Sequence, residues 1–160
     1  MTNTSYIPSY PGNTALTMLV NLKKSRILIV DDDPAIRNLL KRFYAFYDFD
    51  LFEAVHGQQA IEMAPVCRPD LILLDIDMPV LNGYTTIAIL RTHEATSDVP
   101  IILMTGQKEA KYKARGMYDE YLRKPFCKDA LIQATLKFLP GAVKRPTDAE
   151  KGTVYSGSLN

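Results

Sequence analysis

The chain has 160 residues, 47% of them apolar, 23% charged and 9% aromatic, with 19 Lys and Arg against 18 Asp and Glu, for a net charge of +1. This composition describes one soluble globular domain, long enough to bury roughly 68 to 70% of its unfolded surface without disulfides or a structural metal, and the near-neutral balance argues against a strongly basic nucleic-acid binder. Cys67 and Cys127 lack CxxC or Cys/His spacing and read as ordinary thiols in a reducing cytoplasm; with no apolar run of about 18 to 20 residues and no basic opening to a signal peptide, neither export nor membrane insertion is predicted.

Residues 1–22 carry no Asp, Glu, Lys or Arg, after which Lys23, Lys24 and Arg26 arrive together, so the domain is expected to span 23–140 behind a leader in which Ala15 to Leu22 can form a short helix. Arg26 to Val30 is the first near-continuous apolar run, the pattern of a strand covered on both faces of a parallel sheet. Asp33 followed by Pro34 reads as an N-cap with proline in the first turn of a helix, which continues with Ile36, Leu39, Leu40, Phe43 and Tyr47 at helical spacing. Asp50 to Ala54 is a weaker strand candidate. Phe43, Tyr44, Phe46, Tyr47, Phe49 and Phe52 read as core and helix-edge packing, since no basic residues interleave them as a base-stacking surface requires. His56 and His93 read as surface loop residues.

Leu71 to Leu74 and Pro100 to Met104 repeat the buried-strand pattern, with Ile87, Ile89 and Leu90 at helical spacing between them. Tyr121 to Arg123 is a second weak strand, and Leu131, Ile132, Leu136 and Leu139 form the last helical stripe before Pro140 and Gly141. Residues 141–160 are polar and small and read as a tail. Five strands alternating with helices predict a doubly wound α/β domain with right-handed crossovers.

The chemistry lies at the strand ends. Val30 runs into Asp31, Asp32 and Asp33, Leu74 into Asp75, Met104 into Thr105, and Arg123 into Lys124. In an open parallel sheet all these ends share one edge, where ligand crevices form. Bunched carboxylates with one hydroxyl and one ammonium suit a hard cation and a phosphoryl group. Asp32 and Asp75 are expected as direct Mg²⁺ ligands, Asp31 through a water, and the backbone carbonyl of Asp77 as a further ligand. Asp75, alone at the end of the central run, is the expected nucleophile toward a phosphoryl donor, with Thr105 and Lys124 on the phosphoryl oxygens. Asp33 is left out of the site.

The segments ILIVDDDP (Ile27 to Pro34), DLILLDIDMPVLNG (Asp70 to Gly83), PIILMTG (Pro100 to Gly106) and YLRKPF (Tyr121 to Phe126) resemble, in order, the receiver domain of bacterial two-component response regulators. The resemblance covers about Arg26 to Leu139. It implies a flavodoxin-like five-stranded parallel sheet of order 2-1-3-4-5, an order that the chemotaxis receiver exemplifies, and a cis peptide before Pro125. It also implies Asp31 and Asp32 as the acidic pair, Asp75 as the phosphorylated aspartate, Thr105 as the switch hydroxyl, Lys124 as the site lysine and Tyr121 as the aromatic that rotates inward. Met78, Pro79 and Gly83 match the loop after the acceptor, and Asp77 and Gln107 match two variable positions that tune phosphoryl loss. Two features depart from the family pattern. Gly106 stands where a residue such as Ala is usual, and the stretch from Thr105 to Lys124 is short, with Lys108, Glu109, Lys111, Lys113 and Arg115 on what should be the fourth helix. That helix and the fifth strand form the family's usual output face.

The expected function is that of a single-domain response regulator, cytoplasmic and not an enzyme, that takes a phosphoryl group onto Asp75 from a histidine kinase or histidine phosphotransfer protein with Mg²⁺. Too few residues follow Leu139 for a DNA-binding domain, so the output is expected to be altered contact with a downstream protein, from a monomer or weak homodimer. The rival reading is a receiver fold that binds its partner independently of phosphorylation. An aspartyl phosphatase or flavin protein is a third, and the flavin version is disfavoured because no Gly-rich loop follows the first strand.

Overall fold

The structure is a computed structural model that describes residues 24–106 and 116–145. The leader and Gln107 with the Lys108 to Arg115 run fall outside the described residues, as does the tail beyond Arg145. Among the described residues nine elements follow one another: β1 (Arg26–Val30), α1 (Pro34–Tyr44), β2 (Asp50–Ala54), α2 (Gly57–Cys67), β3 (Leu71–Asp75), α3 (Gly83–Thr92), β4 (Ile101–Thr105), β5 (Glu120–Arg123) and α4 (Lys128–Phe138). The strands make one parallel sheet in the order β2-β1-β3-β4-β5, as the resemblance implies. No helix among the described residues is long and apolar enough to cross a membrane.

The period-two alternation of a strand divides each apolar run between two cores. Leu28, Val30, Ile72, Leu74, Ile101 and Leu103 face the layer built with α2 and α3. Ile27, Ile29, Leu71, Leu73, Ile102 and Met104 face the layer built with α1 and α4. Because β3 and β4 are buried at every position and β2 and β5 mostly only half-buried, the inner strands read as continuous hydrophobic runs and the edge strands do not. Within the second layer the Tyr44 hydroxyl meets Thr135 Oγ1 at 2.6 Å and joins α1 to α4; burial pushes the phenol far above its ordinary range.

Local signals set the element ends. Asp33 Oδ1 accepts from the Ala35 amide at 2.7 Å with Pro34 opening α1, as expected of an N-cap. The α1 stripe keeps Ile36, Leu40 and Phe43 and adds Tyr44, but Leu39 is exposed, the helix ends at Tyr44, and Tyr47 lies beyond it, stacked on Phe49 in the core. Phe46, by contrast, is exposed with the Lys128 ammonium 4.0 Å above its ring. His56 is not a loop residue but the N-cap of α2, where Nδ1 accepts from the Gln59 amide at 3.1 Å. His93 closes α3, with Nδ1 accepting from the Ala95 amide. Both cysteines are free, Cys67 buried and Cys127 exposed.

Two contacts hold the far edge. Arg91, in the last turn of α3, donates to the carbonyls of Met117, Ser97 and Val99 and pairs with Asp119 at 2.7 Å. Asp119 in turn accepts from the Ile101 amide at 2.8 Å and donates its own amide to the Ile101 carbonyl. At the opposite side of the sheet the first residues after the last helix do not stand away from the domain. The amides of Asp48 and Arg145 bond the carbonyls of Val143 and Phe46, and Tyr47 bridges Lys144.

Close approach requires glycine at Gly57, where a Cβ would fall 1.8 Å from Thr86 Oγ1 and 2.7 Å from the Leu81 carbonyl oxygen, and at Gly83. The start of α3 lies against the end of β3, where a Cβ on Gly83 would fall 2.4 Å from the Asp75 carbonyl oxygen and 2.7 Å from Ile76 Cα. A Cβ on Gly106 meets nothing within 4 Å, and its φ is not in the left-handed range. Gly83→Ala is therefore expected to lower the urea midpoint by the equivalent of about 1 to 3 kcal/mol, as overpacking against fixed backbone does. Gly106→Ala is expected to leave it unchanged or raise stability by about 0.4 to 1 kcal/mol through the unfolded chain. Equilibrium unfolding of the two variants in parallel checks the contrast.

Candidate functional site

The site is assembled from the ends of β1, β3, β4 and β5. Val30 pairs with Leu74, Asp75 with Met104 and Thr105 with Arg123, so Asp31, Asp75, Thr105 and Lys124 emerge at successive positions along one edge. Asp31 and Asp75 are buried at 1% and 4% exposure and Thr105 is fully buried, while Asp32 is exposed. Carboxylate oxygens of Asp31, Asp32 and Asp75 all lie within 4.8 Å of one another.

Lys124 reaches in from β5. Its Nζ donates to Asp31 Oδ2 at 2.7 Å and lies 3.1 Å from Asp75 Oδ1. Its backbone amide donates to the Thr105 carbonyl at 2.9 Å, and the following peptide to Pro125 is cis. Burial alone would lower the ammonium's pKa, but the two carboxylates outweigh it and raise it above its ordinary value. For Asp75 burial raises the pKa, Lys124 lowers it and Asp31 raises it again, and the carboxyl stands above its ordinary value. Asp31 Oδ1 is bonded by the Asp33 amide at 3.0 Å, a turn that faces the carboxylate inward.

Thr105 Oγ1 donates to Asp77 Oδ2 at 3.3 Å. Asp77 itself is exposed in the loop that leads from β3 to α3, and Met78 in the same loop is buried. Val80 in that loop holds φ at 68° with its side chain in solvent, a conformation that β-branched residues rarely adopt. Tyr121 is half-buried on β5, packed against the α2 and α3 layer, with its ring 6.3 Å from that of Tyr118. Thus Asp31, Asp32, Asp75 and Lys124 come together, Thr105 joins through the edge and Asp77, and Tyr121 lies beneath on the neighbouring strand.

Three carboxylates facing one ammonium leave a net negative, all-oxygen donor set, which fits a hard divalent cation. Asp75 Oδ1 is buried and no hydrogen-bond donor is aligned on it, although Lys124 is near enough to pair with it. That oxygen retains lone pairs for a cation. The arrangement therefore fits Mg²⁺. The sequence reading missed Arg37, whose Nη1 donates to the carbonyls of Asp31 and Asp32 at 2.8 and 3.1 Å. Its signal was only a basic residue on the polar side of a helix.

Sheet order and edge chemistry together define a signalling receiver module. The family model of the response regulator receiver domain matches residues 27–136, and the chain belongs to that family. It is 33% identical over 134 residues to the DNA-binding dual master transcriptional regulator RpaA of Synechocystis sp., covering 82% of this chain and 56% of that protein. It is 35% identical over 128 residues to the response regulator MprA of Mycobacterium avium, covering 78% and 55%. The chain thus spans little more than half the length of these curated relatives. Among solved structures it is similar to the receiver domain of the sensor histidine kinase PA1611 from Pseudomonas aeruginosa, which has a magnesium ion coordinated in the active site cleft. That match has 27% identity and a TM-score of 0.68 over 74% of this chain and 99% of that one. A putative response regulator from Chloroflexus aurantiacus gives 28% identity and 0.69 over 74% and 99%. Domains of this family are phosphoacceptor modules of signalling rather than enzymes in the ordinary sense.

The raised Asp75 sets a pH dependence. A carboxyl whose folded pKa lies above its unfolded value adds stability below the unfolded pKa and loses it as pH rises through the folded one. At neutral pH without metal the ionised Asp75 therefore works against the fold. Asp75→Asn is expected to raise the unfolding midpoint in EDTA at pH 7, with an advantage that shrinks as the pH falls through the carboxylate range. Thermal unfolding across that range measures it.

Proposed function

We propose that the chain is a response regulator that accepts a phosphoryl group on Asp75 from a histidine kinase or histidine phosphotransfer protein, with Mg²⁺, and signals by changed contact with a downstream protein. The observation that carries this reading is the buried Asp75 carboxylate set between Lys124 and the Asp31–Asp32 pair.

Asp31, Asp32 and Asp75, with the Asp77 carbonyl, would hold Mg²⁺, which when bound neutralises the carboxylates and shares the charge on the phosphoryl oxygens. An Asp75 oxygen attacks the phosphorus of a phosphohistidine. The P–N bond breaks, its electron pair stays on the imidazole nitrogen, and an aspartyl phosphate forms. Lys124, already 3.1 Å from Asp75 Oδ1, is within reach of a phosphoryl oxygen without crossing the site. The Thr105 hydroxyl then exchanges Asp77 for the phosphoryl group, which draws the end of β4 inward. Tyr121, two residues before the Thr105 partner on β5, is placed to follow that movement. The same residues assist later hydrolysis of the acyl phosphate, so the protein returns to its resting state without a separate catalyst.

Intact mass after incubation with Mg²⁺ and a small-molecule phosphodonor tests the proposal. A single phosphoryl adduct is expected that requires Mg²⁺ and disappears in Asp75→Asn. Lys124→Ala is expected to slow its formation about a hundred-fold, the loss that follows removal of one charge-stabilising donor. Thr105→Val is expected to keep the adduct but lose any phosphorylation-dependent change in partner affinity. No adduct, where a known receiver is modified in parallel, would sink the proposal in favour of an interaction module indifferent to phosphorylation.

A further inference from the structure

Asp31 and Asp32 follow β1 at its end, where the Asp31 amide donates to the Ala54 carbonyl at 3.2 Å, and neighbouring carboxylates on such a turn repel and tend to open it. One side chain spans this turn from behind. Arg37, in the second turn of α1, donates from Nη1 to both carbonyls of the turn at 2.8 and 3.1 Å, and from Nε to Glu53 Oε2 at 3.2 Å. Lys41, one turn further along α1, donates to the other Glu53 oxygen at 2.7 Å. Glu53 on β2 is thus gripped on both oxygens. The bond from Lys41 holds its carboxyl below the ordinary range, against burial and with help from Arg37.

The Arg37 side chain is 13% exposed, so its rotamer is set by these partners rather than by solvent. A planar guanidinium delivers its N–H groups in fixed directions, which a lysine cannot do. Its contacts are to the backbone of the acidic turn, which leaves the Asp31 and Asp32 carboxylates for the cluster with Asp75.

We infer that Arg37, aligned by Glu53, is a positioning residue for the divalent cation: it holds the Asp31–Asp32 backbone so that both carboxylates meet Asp75, and thereby sets the affinity of the cluster for Mg²⁺. The inference rests on the reading of that cluster as a Mg²⁺ site. Its sign sets it apart from simple electrostatics. A guanidinium beside the cluster repels a divalent ion, so if Arg37 acted only as a charge, its loss would tighten Mg²⁺ binding. If it acts by position, its loss loosens binding.

Mg²⁺ titrated calorimetrically into the wild type, Arg37→Met, Arg37→Lys and Glu53→Gln separates the two. Arg37→Met is expected to weaken Mg²⁺ about 10- to 100-fold, the range typical of residues that orient metal ligands from behind. Arg37→Lys keeps the charge and is expected to weaken binding as well, because one ammonium cannot serve two carbonyls and Glu53 in the same geometry. Glu53→Gln is expected to give a smaller loss of the same sign. Amide shifts of Asp31 to Asp33 in the metal-free proteins should move in the same order. Should Arg37→Met fail to fold, Arg37→Lys and Glu53→Gln decide. Unchanged or tighter Mg²⁺ binding in the folded variants, with a wild type that binds, overturns the positioning role and leaves the phosphoacceptor reading intact. A wild type that takes up a phosphoryl group yet binds no Mg²⁺ overturns this inference alone, whereas one that does neither overturns both.

Discussion

The Lys124 ammonium lies between Asp31 and Asp75, and most of the site depends on that placement. Two buried carboxylates at adjacent strand ends repel each other strongly where water cannot screen them. The shared cation offsets that repulsion, but burial, with Asp31 adding to it, still leaves Asp75 harder to ionise than an ordinary aspartate. The same cation ties an outer strand to the centre. β5 is an edge strand of only four residues, and its end is held by the Lys124 amide on the Thr105 carbonyl as well as by the side-chain pairs. Charge neutralisation and strand docking are therefore one interaction seen from two sides.

Around this edge the rest of the fold is stiff where the chemistry needs it to be. The two apolar layers cover the central strands completely, so the strand ends present their side chains from a fixed base. Gly83 lets the first turn of α3 lie directly on the end of β3, and Asp33 caps the start of α1 immediately after the acidic pair. By contrast the bond from the Thr105 hydroxyl to Asp77 is long, at 3.3 Å, and Val80 is held in a conformation its branched side chain resists. The firm contacts surround Asp75, and the longer or strained ones lie on the loops beside it.

The parts of this arrangement that were legible in the sequence are those that leave a local or periodic trace. Strands buried on both faces appear as LILL and IILM, and Asp33-Pro34 announces a helix start. The order of the strands came from resemblance to a family, because periodicity distinguishes faces and not neighbours. The edge strands were faint because half of each is solvent-facing. Contacts between distant residues left no trace except at the strand ends, which a parallel sheet brings to one edge. Arg37 and Glu53 are 16 residues apart and Arg91 and Asp119 are 28 apart, and each is unremarkable in its own segment. His56 was misread for a related reason, since an imidazole accepting a backbone amide is an uncommon cap and resembles any polar loop residue.

The clasp formed by Arg91 and Asp119 bears on how such a domain changes over evolutionary time. Asp119 is fixed to the first residue of β4 through both its amide and its carboxylate, and to α3 through Arg91. The register of β5 is consequently set just before the strand begins, independently of the chain that leads up to it. Residues can be lost or gained between Gly106 and Gly116 without sliding Lys124 along the sheet. Changes of length before Asp119 are thereby decoupled from the acidic edge, which keeps its geometry while the chain that leads up to β5 varies.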